Sequence, residues 1–128
     1  MPTRIVKFKE AGGPVTMEAI CGFAQGGSYT YHLWEKDEKT HVKSEKGKFS
    51  DNPPQRHTLD GSNKDNDQRF VEFDGSVAII PPEKRYLVTV NIYQDGKMID
   101  SVTDPETGPG TATSSFEDAD VYFQLIKY

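Results

Sequence analysis

A single cysteine, Cys21, is all the chain offers, so no intrachain disulfide can form. A small extracellular domain held together by disulfide staples is therefore excluded. No run of about eighteen apolar residues occurs, which removes a membrane-spanning helix. An excess of positive charge is missing too: 15 Lys and Arg against 20 Asp and Glu leave a net charge of −5 and a pI near 5.1. Binding to a phosphate backbone draws its affinity from clustered basic side chains, so nucleic acid is not an expected partner, and the charge reads as a solubility feature. No helical period is sustained, and there are no heptads or internal repeats. The opening MPTRIVKFKE lacks an apolar segment behind its positive charges and does not read as a secretory signal. The expectation is a cytoplasmic protein, with export by a leaderless route or removal of a leader left open.

What the chain does have is strand chemistry. At 128 residues, 34% apolar and 27% charged, it is long enough for a single domain over residues 1–128 to bury a core without a structural metal. The stretch RYLVTVNIYQDGKMIDSV, Arg85 to Val102, predicts a β-hairpin. Tyr86, Val88, Val90 and Ile92 alternate with Leu87, Thr89, Asn91 and Tyr93, and Asp95-Gly96 supplies a two-residue turn. That turn sets a register in which Tyr93 faces Met98, Ile92 faces Ile99, and Asn91 faces Asp100.

The same alternation predicts an edge strand at Thr3 to Glu10, with a basic outer face, and a core strand at Val15 to Phe23 that carries Cys21 inward. Gln25 to Ser28 reads as a turn, followed by a strand from Tyr29 to Glu35 with aromatics on both faces. The charge-alternating Glu35 to Lys48 reads as a hairpin turning at Lys36 to Lys39. Residues 49–68 read as loop; Arg69 to Phe73 and Ser76 to Ile80 read as two short strands around an Asp74-Gly75 turn. Pro105 to Ala119 reads as a long polar loop pinned only by Phe116 and dispensable for folding, and Asp120 to Tyr128 as a closing strand. About eight strands without helical crossovers predict an all-β, antiparallel β-sandwich, immunoglobulin-like or jelly-roll.

Four groups of residues could carry chemistry. Tyr29, Tyr31, Trp34, Tyr86 and Tyr93 could form an aromatic platform against a sugar ring or a protein, since such rings stack, exclude water and carry polar tips. Strand propensity and core filling select the same residues. Asn63, Asp65 and Asp67 alternate oxygen donors as Ca²⁺ requires, although Gln68 and Asp74 stand where an EF-hand wants Gly and Glu. Local turn hydrogen bonds explain the same loop. His32, His41 and His57 lack a ligand spacing such as HxH or HxxxH; pairing about Asp37-Glu38 sets Trp34 opposite His41 and leaves His32 nearer Lys43, so that His32 and His41 need not touch. Cys21, on an inward face, is a packing residue rather than a nucleophile.

No GxSxG elbow and no glycine-rich phosphate loop is present, so the reading that results is non-catalytic: a recognition module that takes a carbohydrate or protein partner through its loops or an aromatic sheet face. The alternatives are a structural subunit that associates with copies of itself through sheet edges, and a hydrolase that uses carboxylates or a histidine metal site.

Overall fold

Period-2 alternation carries nearly the whole chain into strands. The computed structural model describes residues 4–128, so Thr3, where the first strand was expected to begin, lies outside the described residues. The elements are β1 (Arg4–Phe8), β2 (Thr16–Cys21), β3 (Gly26–Trp34), β4 (His41–Lys48), β5 (His57–Thr58), α1 (Asn63–Asn66), β6 (Phe70–Ala78), β7 (Arg85–Tyr86), β8 (Val88–Gln94), β9 (Lys97–Asp104), β10 (Gly110–Thr111) and β11 (Phe116–Lys127). Eight of these strands have five or more residues, which meets the sequence expectation; β5, β7 and β10 are two-residue additions.

The strands form a five-stranded sheet in the order β1-β11-β6-β3-β4, a four-stranded sheet in the order β5-β2-β8-β9, and the small pair β10-β7. The large sheet is mixed, which corrects the expectation of a purely antiparallel protein. β1 runs parallel to β11, with Val6 beside Leu125. A parallel pair needs a long connection, and here everything between the two strands supplies it. β1 is indeed an edge strand, as its basic outer face suggested.

One hydrophobic cluster draws on both sheets. Tyr31, Leu33, Val71, Phe73, Phe123 and Leu125 come from the large sheet, and Met17, Ala19, Val90 and Ile92 from the smaller one. Two polar contacts link the sheets. In one, Arg4 of β1 meets Asp100 of β9 at 2.8 Å. In the other, His57 of β5 sits fully buried against Tyr29 of β3.

The β8–β9 hairpin turns at Asp95 and Gly96, whose φ values of 55° and 75° are those a primed turn needs. Tyr93 faces Met98 as expected, but a bulge then shifts the ladder, so Ile92 faces Asp100 and Asn91 faces Ser101. The bulge adds Ile99, which packs partly against the core. Tyr86 leaves the hairpin and pairs in β7 with Gly110 of β10.

Three loop readings are corrected by packing. Asp74-Gly75 is no turn: β6 runs straight through it. The glycine is needed for close approach, because a Cβ there would lie 3.0 Å from Phe49 Cζ and 3.1 Å from Ala119 O. Residues 49–68 contain β5 and α1, the latter closed by a capping box between Ser62 and Asp65. The segment from Pro105 to Ala119 is tied down by β10, by the Ala112 amide donating to Lys84 O at 2.8 Å and by the Ile79 amide donating to Ser115 O at 3.0 Å. Buried Ala112 and Ala119 anchor it, while Phe116, the expected anchor, is 63% exposed.

Val90 is fully buried, whereas Asn91 is half-buried and accepts from Ser101 Oγ at 3.0 Å on the other face. Val90→Asp is expected to cost roughly 3–5 kcal/mol, as burying an unpaired charge does, against less than about 1 kcal/mol for Asn91→Asp. Denaturant melts check this, and equal losses would overturn the face assignment.

Candidate functional site

The face of the five-stranded sheet turned away from the core carries an unusual row of side chains. Strand alternation sends Thr30, His32 and Trp34 of β3 outward, with Phe70, Glu72 and Asp74 of β6 and Asp120, Tyr122 and Gln124 of β11. The ladders line them up as His32–Glu72–Tyr122, Thr30–Asp74–Asp120 and Trp34–Phe70–Gln124. Phe70 is only 4% exposed, yet it lies outside the core cluster. Tyr122 stacks on it with ring centroids 5.4 Å apart and planes 17° apart, and Trp34 sits across the ladder. An aromatic strip therefore covers one end of the sheet's outer face.

Polar groups are fixed around this strip. The Trp34 indole N–H donates to Glu72 Oε1 at 3.2 Å, and the Tyr122 hydroxyl donates to Glu38 Oε2 at 2.8 Å, which brings the β3–β4 turn over the face. Burial, and then the bond to Glu38, pushes the Tyr122 hydroxyl up, so it remains a donor. Partial desolvation, and then the Glu72 and Asp74 carboxylates, push the Asp120 carboxyl up to about 6. Asp120 keeps much of its surface in water, so that repulsion is screened.

His32 and His41 flank Trp34. Trp34 pairs with His41 as the hairpin reading required, and His32, whose contact with His41 that reading did not require, meets it as well. A register shift between Leu33 and Trp34 brings His32 Nδ1 within 3.3 Å of His41 Nε2. Their ring centroids lie 5.7 Å and 5.0 Å from that of Trp34. Among the described residues, no three His, Cys, Asp or Glu side chains converge at metal-binding distance.

The five aromatics expected to form one platform are dispersed. Tyr29 and Tyr31 are 3% and 0% exposed, members of the core, and offer no ring face to a ligand. Tyr86 is half-buried in β7. Tyr93 is on the smaller sheet, its hydroxyl donating to Glu18 and its ring under the Arg56 guanidinium at 3.8 Å. Only Trp34 remains on the outer strip. Phe70 and Tyr122 take the places assigned to the others, and the i, i+2 rows Phe70-Glu72 and Tyr122-Gln124 are the signal that would have found them.

Asn63, Asp65 and Asp67 are occupied with different backbone partners. The Asn63 amide donates to Gly12 O at 2.8 Å and Gly13 O at 3.0 Å, which pins the β1–β2 connection. Asp65 closes the helix cap, and Asp67 Oδ1 accepts from the Lys127 amide at 3.0 Å. Each of the three thus holds a different part of the fold in place. Cys21 is half-buried against the core, and burial pushes its thiol up, away from a reactive thiolate.

His57 was grouped with the other histidines by sequence and is separated from them by structure. Tyr29 Oη lies 2.7 Å from Nε2, and Glu45 Oε1 lies 3.5 Å from Nδ1. A neutral ring with its proton on Nδ1 lets Nε2 accept from Tyr29 while the N–H faces the carboxylate. Burial pushes the imidazole below its ordinary range, with Glu45 opposing. Burial likewise pushes Tyr29 up to about 12. The group therefore joins the two sheets as neutral partners.

Comparison with known proteins finds no family, no curated protein and no solved structure that this chain matches.

Two outcomes follow from these contacts. Asn63→Ala is expected to cost roughly 1–3 kcal/mol by leaving the Gly12 carbonyl without its donor and the Gly13 carbonyl with Gln94 alone; a melt indistinguishable from the parent would remove that tie. For His57, the folded state holds its proton less tightly than the unfolded chain, so stability is complete above the unfolded value of about 6.5 and falls as pH drops below it. Asp120 acts in the opposite sense, since its raised carboxyl costs stability at neutral pH and the cost is relieved as pH falls through about 6. Melting temperature against pH for the parent and His57→Leu isolates the imidazole. The variant should show a shallower loss between about pH 7 and 5, and parallel curves would refute the assignment.

Proposed function

We propose that this chain is a non-catalytic recognition module that binds a carbohydrate through the outer face of its five-stranded sheet. The observation that carries this reading is the pair of half-buried rings Trp34 and Tyr122 on a face turned away from the core, with Tyr122 stacked on the buried Phe70 as its floor. Sugar rings offer C–H faces to aromatic planes and hydroxyls to fixed acceptors, and Glu72, Asp74 and Asp120 stand in the same ladders. The frame that presents this face is read as a two-layer β-sandwich, immunoglobulin-like or jelly-roll. Support for two layers comes from the single cluster shared by both sheets and from the two polar contacts that link them. Assembly through sheet edges draws less support, because the free edge strand β4 carries Lys43, Lys46 and Lys48, which discourage strand addition.

A second reading has one observation in its favour. The Asp120 carboxyl, raised to about 6 beside Glu72, is poised as a general acid would be, and a hydrolase would use that pair on the same face.

A glycan array followed by calorimetry tests the binding face. Trp34→Ala is expected to weaken the best ligand by tenfold or more, a change of about 1.4 kcal/mol, with the fold retained, while Tyr93→Ala on the other sheet leaves affinity unchanged. Equal affinity of Trp34→Ala and parent, or no glycan bound at all, would defeat the proposal. Turnover of the bound glycan that disappears in Asp120→Asn would move the protein to the hydrolase reading.

A further inference from the structure

We propose that His32 and His41 form a two-histidine site for an imidazole-preferring divalent transition ion, Zn²⁺ foremost, at the hairpin end of β3 and β4. The case starts from geometry. His32 Nδ1 and His41 Nε2 are 3.3 Å apart. Two imidazole nitrogens bound to one tetrahedral zinc at 2.0–2.1 Å are separated by the edge of the tetrahedron, about 3.3–3.4 Å. The ring planes stand 67° apart, so the two nitrogens come together at a corner rather than in a stack.

The contact is also held in place. His41 packs edge-on to Trp34 at 71°, and His32 lies at 33° to the same indole. The indole is itself fixed by its bond to Glu72. Both imidazoles are thus pre-ordered before any ion arrives, which lowers the entropy that binding would otherwise cost. A neutral imidazole–imidazole hydrogen bond on a wet surface contributes little to stability, so stability alone gives weak reason for the arrangement. His41 is exposed and His32 half-buried, so the site is open to solvent. Among the described residues no third His, Cys, Asp or Glu completes the set, so water would fill the remaining positions around an ion. Imidazole donors favour Zn²⁺, Cu²⁺ and Ni²⁺ over Ca²⁺ or Mg²⁺, which separates this site from the Asn63, Asp65, Asp67 loop.

The protein carries its own reporter, since Trp34 is the one tryptophan in the chain. Cu²⁺ bound between the two rings would lie close enough to quench it. Titration of the whole chain with Cu²⁺ is expected to give saturable quenching at one ion per chain, reversed by EDTA and weakened at least tenfold in His32→Ala and in His41→Ala. Quenching that either variant leaves unchanged, or that EDTA does not reverse, would overturn the site. A measurement on the unmodified protein guards against a variant that misfolds. Zn²⁺ should shift the imidazole NMR signals of His32 and His41 and spare buried His57; no shift, or a shift of all three alike, refutes the proposal. The site shares Trp34 with the proposed glycan face but needs no glycan, so the two proposals fail separately.

Discussion

The register of β3, β6 and β11 is the constraint on which everything else in this protein depends. Tyr31, Phe73 and Val121 stand in one ladder row and enter the core, and the adjoining row of His32, Glu72 and Tyr122 faces outward. A slip of one residue in any of the three strands would exchange core for surface and bury charged or polar groups in place of the apolar side chains expelled. Gly75 supports that register from the side, because a Cβ there would press on Phe49 and the Ala119 carbonyl and force them to give way. The candidate face is thus the necessary reverse side of the core ladder, and its spacing is inherited from the core.

The second feature that organises the molecule is how polar groups are placed between the sheets. His57 is buried and neutral between the sheets, with Tyr29 on one nitrogen and Glu45 facing the other. A charged partner there would lose solvation that the short contact could not return. Arg4 and Asp100 link the sheets at the surface, where both charges keep water. The same economy holds at Gln94, which accepts from the Lys9 amide and donates to the carbonyls of Lys9 and Gly13, fastening the β1–β2 connection to the hairpin. These buried polar side chains set the relative positions of segments that are distant in sequence.

The outer face gathers groups whose chemistry is different from the rest of the surface. Aromatic rings, two touching imidazoles and a row of carboxylates share a few ladder positions, and the β3–β4 turn leans over them through Glu38. Most other aromatic side chains are consumed by the core or covered by partners, as Tyr93 is by Arg56 and Glu18, while Phe116 and Tyr128 stand exposed at and just beyond the two ends of β11. The concentration of accessible ring surface beside fixed acceptors singles this face out.

The strands themselves were legible in the chain because burial imposes period 2 directly on neighbouring residues: Val88, Val90 and Ile92 alternate in the sequence and are buried in the fold. The Asp95-Gly96 turn and the meeting of Trp34 with His41 were legible for the same reason, since hairpins are local. What the chain did not disclose is set by contacts between residues far apart. The direction of β1 against β11 leaves no trace in the alternation of either strand. Gly75 looks like a turn residue until Phe49 is seen against it, and Pro105 to Ala119 looks free until Lys84 and Ile79 are seen to bind it. Alternation says that a strand has two faces, but which aromatic row is inward depends on the sheet opposite. Tyr29 and Tyr31 therefore moved from candidate platform to core, and Phe70 and Tyr122 emerged in their place, by a decision that only tertiary packing could make.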